Sequence, residues 1–196
     1  MKLLKSLSAL LLLVVGCAST GDAAESNGAK VVEAAAYAPM EIFAPLAGRT
    51  FKGDGTGPGG EPIIDIVNYE FILGGRAFQA THKLKDSAYG GRTIFFFDEG
   101  AKKYIFHYFT TAGFHTTGEV EPTETGFTAS ESVAGHESIV EVRSEIIIDG
   151  DVIRVAAKYI DKNGDTAEGG ERVYQPVEHA ILFFDAADAA IGAASE

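Results

Sequence analysis

The chain is poor in the residues that staple a fold or cluster around a metal. It has one cysteine, Cys17, two methionines and no tryptophan among 196 residues. A lone cysteine forbids an intramolecular disulfide and excludes the paired-cysteine zinc and redox motifs. Basic residues are also scarce: 16 Lys and Arg stand against 28 Asp and Glu, a formal charge of −12. Nucleic acid and anionic lipid surfaces both demand a basic face, so neither is an expected partner for the folded part. Acidity of this kind commonly serves solubility, and no cationic ligand is inferred from it. The one marked apolar run, residues 7–15, is shorter than the ~20 residues a spanning helix needs. Motifs of catalysis are missing as well. There is no glycine-rich loop between a strand and a helix, no His-Glu-x-x-His and no cysteine pair. The five histidines are His82, His107, His115, His136 and His179, and none lies two or four residues from another.

What is present begins at the N-terminus. Lys2 and Lys5 precede the apolar run, and a charged start with a short apolar core describes a secretory signal. The run ends in Val14-Val15-Gly16-Cys17. This resembles the lipobox of bacterial lipoproteins, whose cysteine becomes the acylated first residue. The resemblance implies lipid on Cys17 and loss of residues 1–16, which takes the charge from −12 to −14 because that segment holds two lysines and no acid. It also accounts for a single cysteine in an oxidising compartment. Each buried CH₂ contributes ~0.8 kcal/mol, so the two or three chains of such lipoproteins give a firm hold on the cell envelope. In Gram-negative lipoproteins an Asp after the cysteine typically retains the protein at the inner membrane. Ala18 in that place implies the outer membrane, facing the periplasm. An ordinary signal with an incidental cysteine is the alternative.

Residues 17–39 are rich in Ala, Ser, Gly and Asn and cannot bury enough surface to fold stably. They read as a flexible tether, with a short helix over residues 30–37. The folded domain is expected over residues 40–177, its first element at residues 40–46. From residue 48 onward, short runs rich in β-branched and aromatic residues alternate with Gly, Asp, Asn and Pro. The runs cover residues 49–55, 62–73, 76–84, 92–98, 103–110, 114–121, 126–133, 138–148, 151–160 and 168–174. Several alternate apolar with polar, which turns successive side chains to opposite faces of a strand. Asp149-Gly150, Asn163-Gly164, Gly74-Gly75 and Gly90-Gly91 read as hairpin turns, and Pro122 as a strand end. Such a pattern without helices is an all-β antiparallel meander. Closure into a barrel of about 8–10 strands removes the exposed edges; a two-sheet sandwich is the alternative. The Ala-rich tail, residues 178–196, reads as a helix or strand packed outside.

Leu46-Ala47-Gly48-Arg49-Thr50-Phe51-Lys52-Gly53-Asp54-Gly55 resembles the L-x-G-x-W-x-G-x-G opening of calycin or lipocalin-like barrels. These include nitrobindin-type proteins and an uncharacterised bacterial family. Tyr69-Glu70-Phe71-Ile72-Leu73-Gly74-Gly75-Arg76, and Phe95 to Phe97 before Asp98, are similar to later strands of that bacterial family. Phe51 stands where the family has Trp. The resemblance implies a hollow fold, with Phe51 closing one end, and no known activity. Nitrobindin-type barrels bind haem through a His near the end of the chain. The last strand here has no His and His179 lies beyond it, so haem is not expected, and no cofactor or metal is.

Thirteen Phe and seven Tyr supply wide apolar walls. They serve equally well to fill a core or to line a cavity for a small hydrophobic or amphipathic ligand. Candidate polar contacts to a ligand are Glu70, Arg76, His82, His107 and Arg143, each in or beside an apolar strand. A buried charge must be paired, which suggests Glu70 with Arg76 or Arg143 if they face inward. A ligand-binding lipoprotein is the first expectation, a filled barrel with a structural role the second. An enzyme is the third, since no nucleophile–base set is visible.

Overall fold

A computed structural model describes residues 37–56, 60–180, 182 and 184. The expected signal, Cys17, the tether and its short helix up to residue 36, and most of the Ala-rich tail lie outside them. Among the described residues no helix is long and apolar enough to cross a membrane.

Ten strands follow one another around a closed antiparallel barrel. They are β1 (Thr50–Thr56), β2 (Pro62–Ile72), β3 (Ala77–Leu84), β4 (Gly90–Asp98), β5 (Lys103–Thr110), β6 (His115–Pro122), β7 (Gly126–Ala134), β8 (Ile139–Asp149), β9 (Val152–Asp161) and β10 (Thr166–Val177). Each pairs with the next, and β10 pairs back onto β1 with Gly53 opposite Tyr174. The sandwich alternative is thereby excluded. Closure also leaves no unpaired edge to recruit a second chain.

The strands form where the residue pattern places them because pairing and turns are local matters. Gly150 at φ 58° and Gly164 at φ 86° supply the left-handed backbone of two expected turns. Gly90 and Gly91 do not form a turn. They open β4 and are buried there. A Cβ on Gly91 would lie 2.4 Å from both the Tyr108 ring and the Phe109 carbonyl oxygen. The pair is bare because an aromatic neighbour needs the space, not because the chain reverses.

One end of the barrel is plugged. A 3-10 helix, Ala38–Phe43, turns inward and buries Met40 and Phe43, with Leu46 just after it. Phe43 stacks on Phe78 at 4.8 Å and meets Phe127 at 5.3 Å and Phe95 at 5.2 Å. The Tyr104 hydroxyl donates to the Pro39 carbonyl at 2.8 Å and ties the helix to β5. Phe51 is fully buried, set edge-on to Tyr69 at 5.8 Å, so it shares this end with the helix rather than closing it alone.

Of the tail, the described residues 178–180, 182 and 184 have no regular structure. They lie on the outer face: the Asn68 amide donates to the Ala180 carbonyl at 2.7 Å, and His179 Nδ1 is 3.1 Å from Thr50 Oγ1.

Candidate ligand-binding site

Above the plug the barrel holds a partly open cavity of about 290 Å³. Its floor and lower wall are apolar: Phe43, Phe78, Phe106, Ile146 and Val155. Its upper wall is polar, with Asp65, His82, Tyr108, Glu131, Arg172 and Tyr174. Large side chains reach the interior because glycines stand across from them. A Cβ on Gly53 would lie 2.4 Å from the Tyr174 ring, and one on Gly55 2.6 Å from Arg172 Cγ. The glycines of the opening motif therefore make room for the polar wall.

The polar groups form one chain of hydrogen bonds. Asp65, 3 % exposed, receives the Tyr174 hydroxyl at 2.8 Å and lies 3.0 Å from His82 Nδ1. His82 Nε2 lies 2.8 Å from the Tyr108 hydroxyl, itself 2.9 Å from that of Tyr89. A carboxylate only accepts, so Nδ1 carries a proton toward Asp65, and in that neutral tautomer Nε2 is the acceptor for the Tyr108 hydroxyl. Tyr108 in turn accepts from Tyr89. Burial pushes the Tyr108, Tyr89 and Tyr174 hydroxyls up from their ordinary range, so they remain protonated donors. Every link of the chain is thus polarised toward Asp65.

Arg172 reaches the interior through a fault in strand alternation. Glu168 pairs with Lys158 and Glu171 with Ala156, so β10 carries one residue more than β9 between them. Gly170 absorbs it at φ 79°. Such a bulge re-aims the side chains beyond it. Glu168 and Glu171 both point outward, to Lys158 at 3.2 Å and Arg154 at 3.4 Å, and Arg172 turns in. Across the cavity, Thr116 Oγ1 donates to Glu131. Burial raises the Glu131 carboxyl above its usual range, and the Thr116 bond offsets only part of that.

A raised carboxyl stabilises the fold while it is protonated. That contribution is whole below the unfolded value near 4.5 and is lost as pH climbs through the folded value. Glu131→Gln keeps an acceptor for Thr116 and has no charge to desolvate. Its melting temperature at pH 7 should exceed that of the parent, by roughly 2–4 °C per kcal/mol recovered, and the gap should close toward pH 4. Differential scanning calorimetry across that range reads it; an unchanged or lowered melting temperature at pH 7 would show Glu131 to be well solvated.

Of the sequence candidates, His82 alone lines this cavity. His107 faces outward in a ladder of rings, 6.2 Å from Phe96 and 6.4 Å from Phe109. Glu70 is exposed and accepts from the Gln79 amide at 2.7 Å. Arg76 lies over the Tyr37 ring at 4.4 Å. Arg143, exposed, donates to Glu141 at 2.6 Å. The suggested pairing of Glu70 with an arginine is therefore replaced by these neighbours. β2 and β5 are apolar on both faces, so alternation did not say which face was which there, whereas in β8 Arg143 shares the polar face with Glu141 and Glu145. The interior polar residues missed were Asp65, Tyr108, Glu131, Arg172 and Tyr174. Only Asp65 had a local signal, as a lone acid in the apolar run Ile63-Ile64-Asp65-Ile66-Val67. Among the described residues no group of three or more His, Cys, Asp or Glu could hold a metal ion.

No family model matches the sequence, and no curated protein matches it either. Solved structures do resemble it. The crystal structure of Rv2717c from M. tuberculosis superposes with a TM-score of 0.55, covering 73 % of this chain and 99 % of that one at 13 % identity. The fold is shared. At that identity the likeness carries no further than the barrel.

Proposed function

We propose that the protein is a lipid-anchored protein of the cell envelope, facing the periplasm from the outer membrane through Cys17. It would hold a small hydrophobic or amphipathic molecule in its barrel. The carrying observation is the cavity itself, with an apolar floor and a polar upper wall around one partly open space. Binding pockets combine wide apolar walls with a few fixed polar groups in this way. The Asp65–His82 pair has the form of a dyad that orients a base. Its Nε2 is taken by Tyr108, whose hydroxyl burial keeps protonated. The pair therefore fixes the wall and activates no nucleophile, which favours binding over catalysis.

One experiment tests both halves. The full chain is expressed in a Gram-negative host, recovered from its membranes and examined by mass spectrometry before and after extraction with organic solvent. The expected result is a chain beginning at Cys17 with the added mass of acyl groups, and a small molecule released at a stoichiometry near one per chain. A signal cut elsewhere without acylation would remove the anchor. No released molecule, together with no uptake of an apolar fluorescent dye, would leave a filled barrel with a structural role.

A further inference from the structure

We propose that the molecule held in this cavity is a cationic amphiphile, an apolar chain ending in a protonated amine, whose head pairs with the Glu131 carboxylate. The inference rests on the cavity reading above and specifies the ligand's head group. The fold makes room for this acid. Glu131 on β7 lies opposite Gly118 on β6. A Cβ on Gly118 would lie 2.8 Å from Glu131 Cβ and 2.7 Å from the Phe106 ring, so a carboxylate and an aromatic wall flank the same bare glycine. Of the two carboxyl oxygens, Oε2 accepts from Thr116. Oε1 accepts from no described residue. It is not sealed off either, since Arg172 Nε is the one buried polar side-chain atom among those residues left unmet. Glu131 lines the cavity, and Oε1 is its free acceptor there.

The charge balance selects the head group. The wall holds two acids, Asp65 and Glu131, against one permanent cation, Arg172. Arg172 feels the attraction of Asp65, and Asp65 is further met by Tyr174 and His82. Glu131 has no such counterpart. Its carboxyl answers to burial and to the Thr116 bond, and no cation acts on it. A charge held away from water without a partner is costly, so ionised Glu131 leaves the wall one positive charge short. An ammonium brings the sum to zero. A neutral head leaves the deficit, and a carboxylate would deepen it in an interior where like charges repel strongly. The Phe106 and Tyr108 rings line the same space, and aromatic faces attract ammonium groups. Phe43, Phe78, Ile146 and Val155 suit the apolar chain.

Straight-chain probes of equal carbon count separate the possibilities: octylammonium, octanol and octanoate, titrated by calorimetry at pH 7 into the full chain carrying Cys17→Ser to keep it free of detergent. Salt at about 0.15 M limits the reach of the acidic surface to about 8 Å. Octylammonium should bind at a stoichiometry near one and about tenfold or more tighter than octanol, as a hydrogen bond between charged groups implies, with octanoate the weakest. Glu131→Gln keeps the side chain's shape and an acceptor for Thr116 but removes the charge. It should bring octylammonium down to the affinity of octanol or below, while unchanged octanol binding shows that the cavity has survived. Octylammonium no tighter than octanol in the parent, octanoate as the tightest probe, or an amine preference that persists in Glu131→Gln overturns the amine inference and leaves the carrier reading standing. Binding of none of the three overturns both.

Discussion

Phe78→Ala should lower the stability of the barrel by about 3–5 kcal/mol, the usual cost of deleting a fully buried phenylalanine. Phe78 is 0 % exposed and sits at the centre of the ring cluster. It stacks on Phe43 at 4.8 Å and on Tyr69 at 5.7 Å, with Phe71 edge-on at 5.2 Å. Its removal takes away the surface on which the plugging helix rests, so the loss includes part of Phe43's contacts. Relaxation offers little relief, because the strands on either side are locked in register by the barrel's closure. The measurement is urea unfolding followed by circular dichroism, with the slope compared as well as the midpoint. Phe78→Leu should cost far less, since most of the volume remains. A loss under about 1 kcal/mol for Phe78→Ala would mean that the helix does not pack into the barrel end as described.

The same change should enlarge the cavity, since Phe78 belongs to its floor. A binding barrel would then accept a longer apolar ligand, whereas a filled one would only lose stability. Stability and uptake therefore separate the two roles in one variant.

Much of this architecture is legible in the chain, for a physical reason. A strand needs only alternation and β-branched or aromatic residues, and a tight turn needs only a residue that tolerates positive φ. Both are local, so the ten runs read from the residues coincide closely with β1 to β10. Gly90-Gly91 misleads because glycine serves two purposes. It permits unusual backbone, and it vacates space for a neighbour. Which purpose applies depends on Tyr108, two strands' length away in the chain. The site is less legible because it exists only after closure. Asp65 and Tyr174 are separated by 109 positions and meet because β1 joins β10 on one side and β2 on the other. Arg172 is harder still. Counting alternate residues along β10 from Glu168 places Arg172 outside, and the extra residue at Gly170 reverses the count. His107 shows the opposite difficulty. In Tyr104-Ile105-Phe106-His107-Tyr108-Phe109 both faces are aromatic, so period two carries no sense of inside. Phe106 and Tyr108 turn in, and His107 is left on the outer ladder.

Asp65→Ala should be the most damaging change in the polar wall, by about 2–6 kcal/mol, because it leaves two buried donors unmet at about 1–3 kcal/mol each. Tyr174 loses its acceptor and His82 loses the group that fixes its tautomer. Arg172 keeps its charge and loses the attraction of the Asp65 carboxylate. The chain through Tyr108 to Tyr89 would then lose its direction, because nothing remains to hold the proton on Nδ1 of His82. Nitrogen-15 spectra of the His82 ring report this directly. The parent should show a ring protonated on Nδ1, and the variant a mixture of tautomers. Removing both charges in Asp65→Ala with Arg172→Met should recover part of the loss, since no cation deprived of that attraction remains. A positive coupling of the kind seen between groups in one network, about 0.5–3 kcal/mol, is expected in the double-mutant cycle. Additive single effects would mean that Asp65 and Arg172 are each solvated separately. The upper wall would then be a set of independent polar groups.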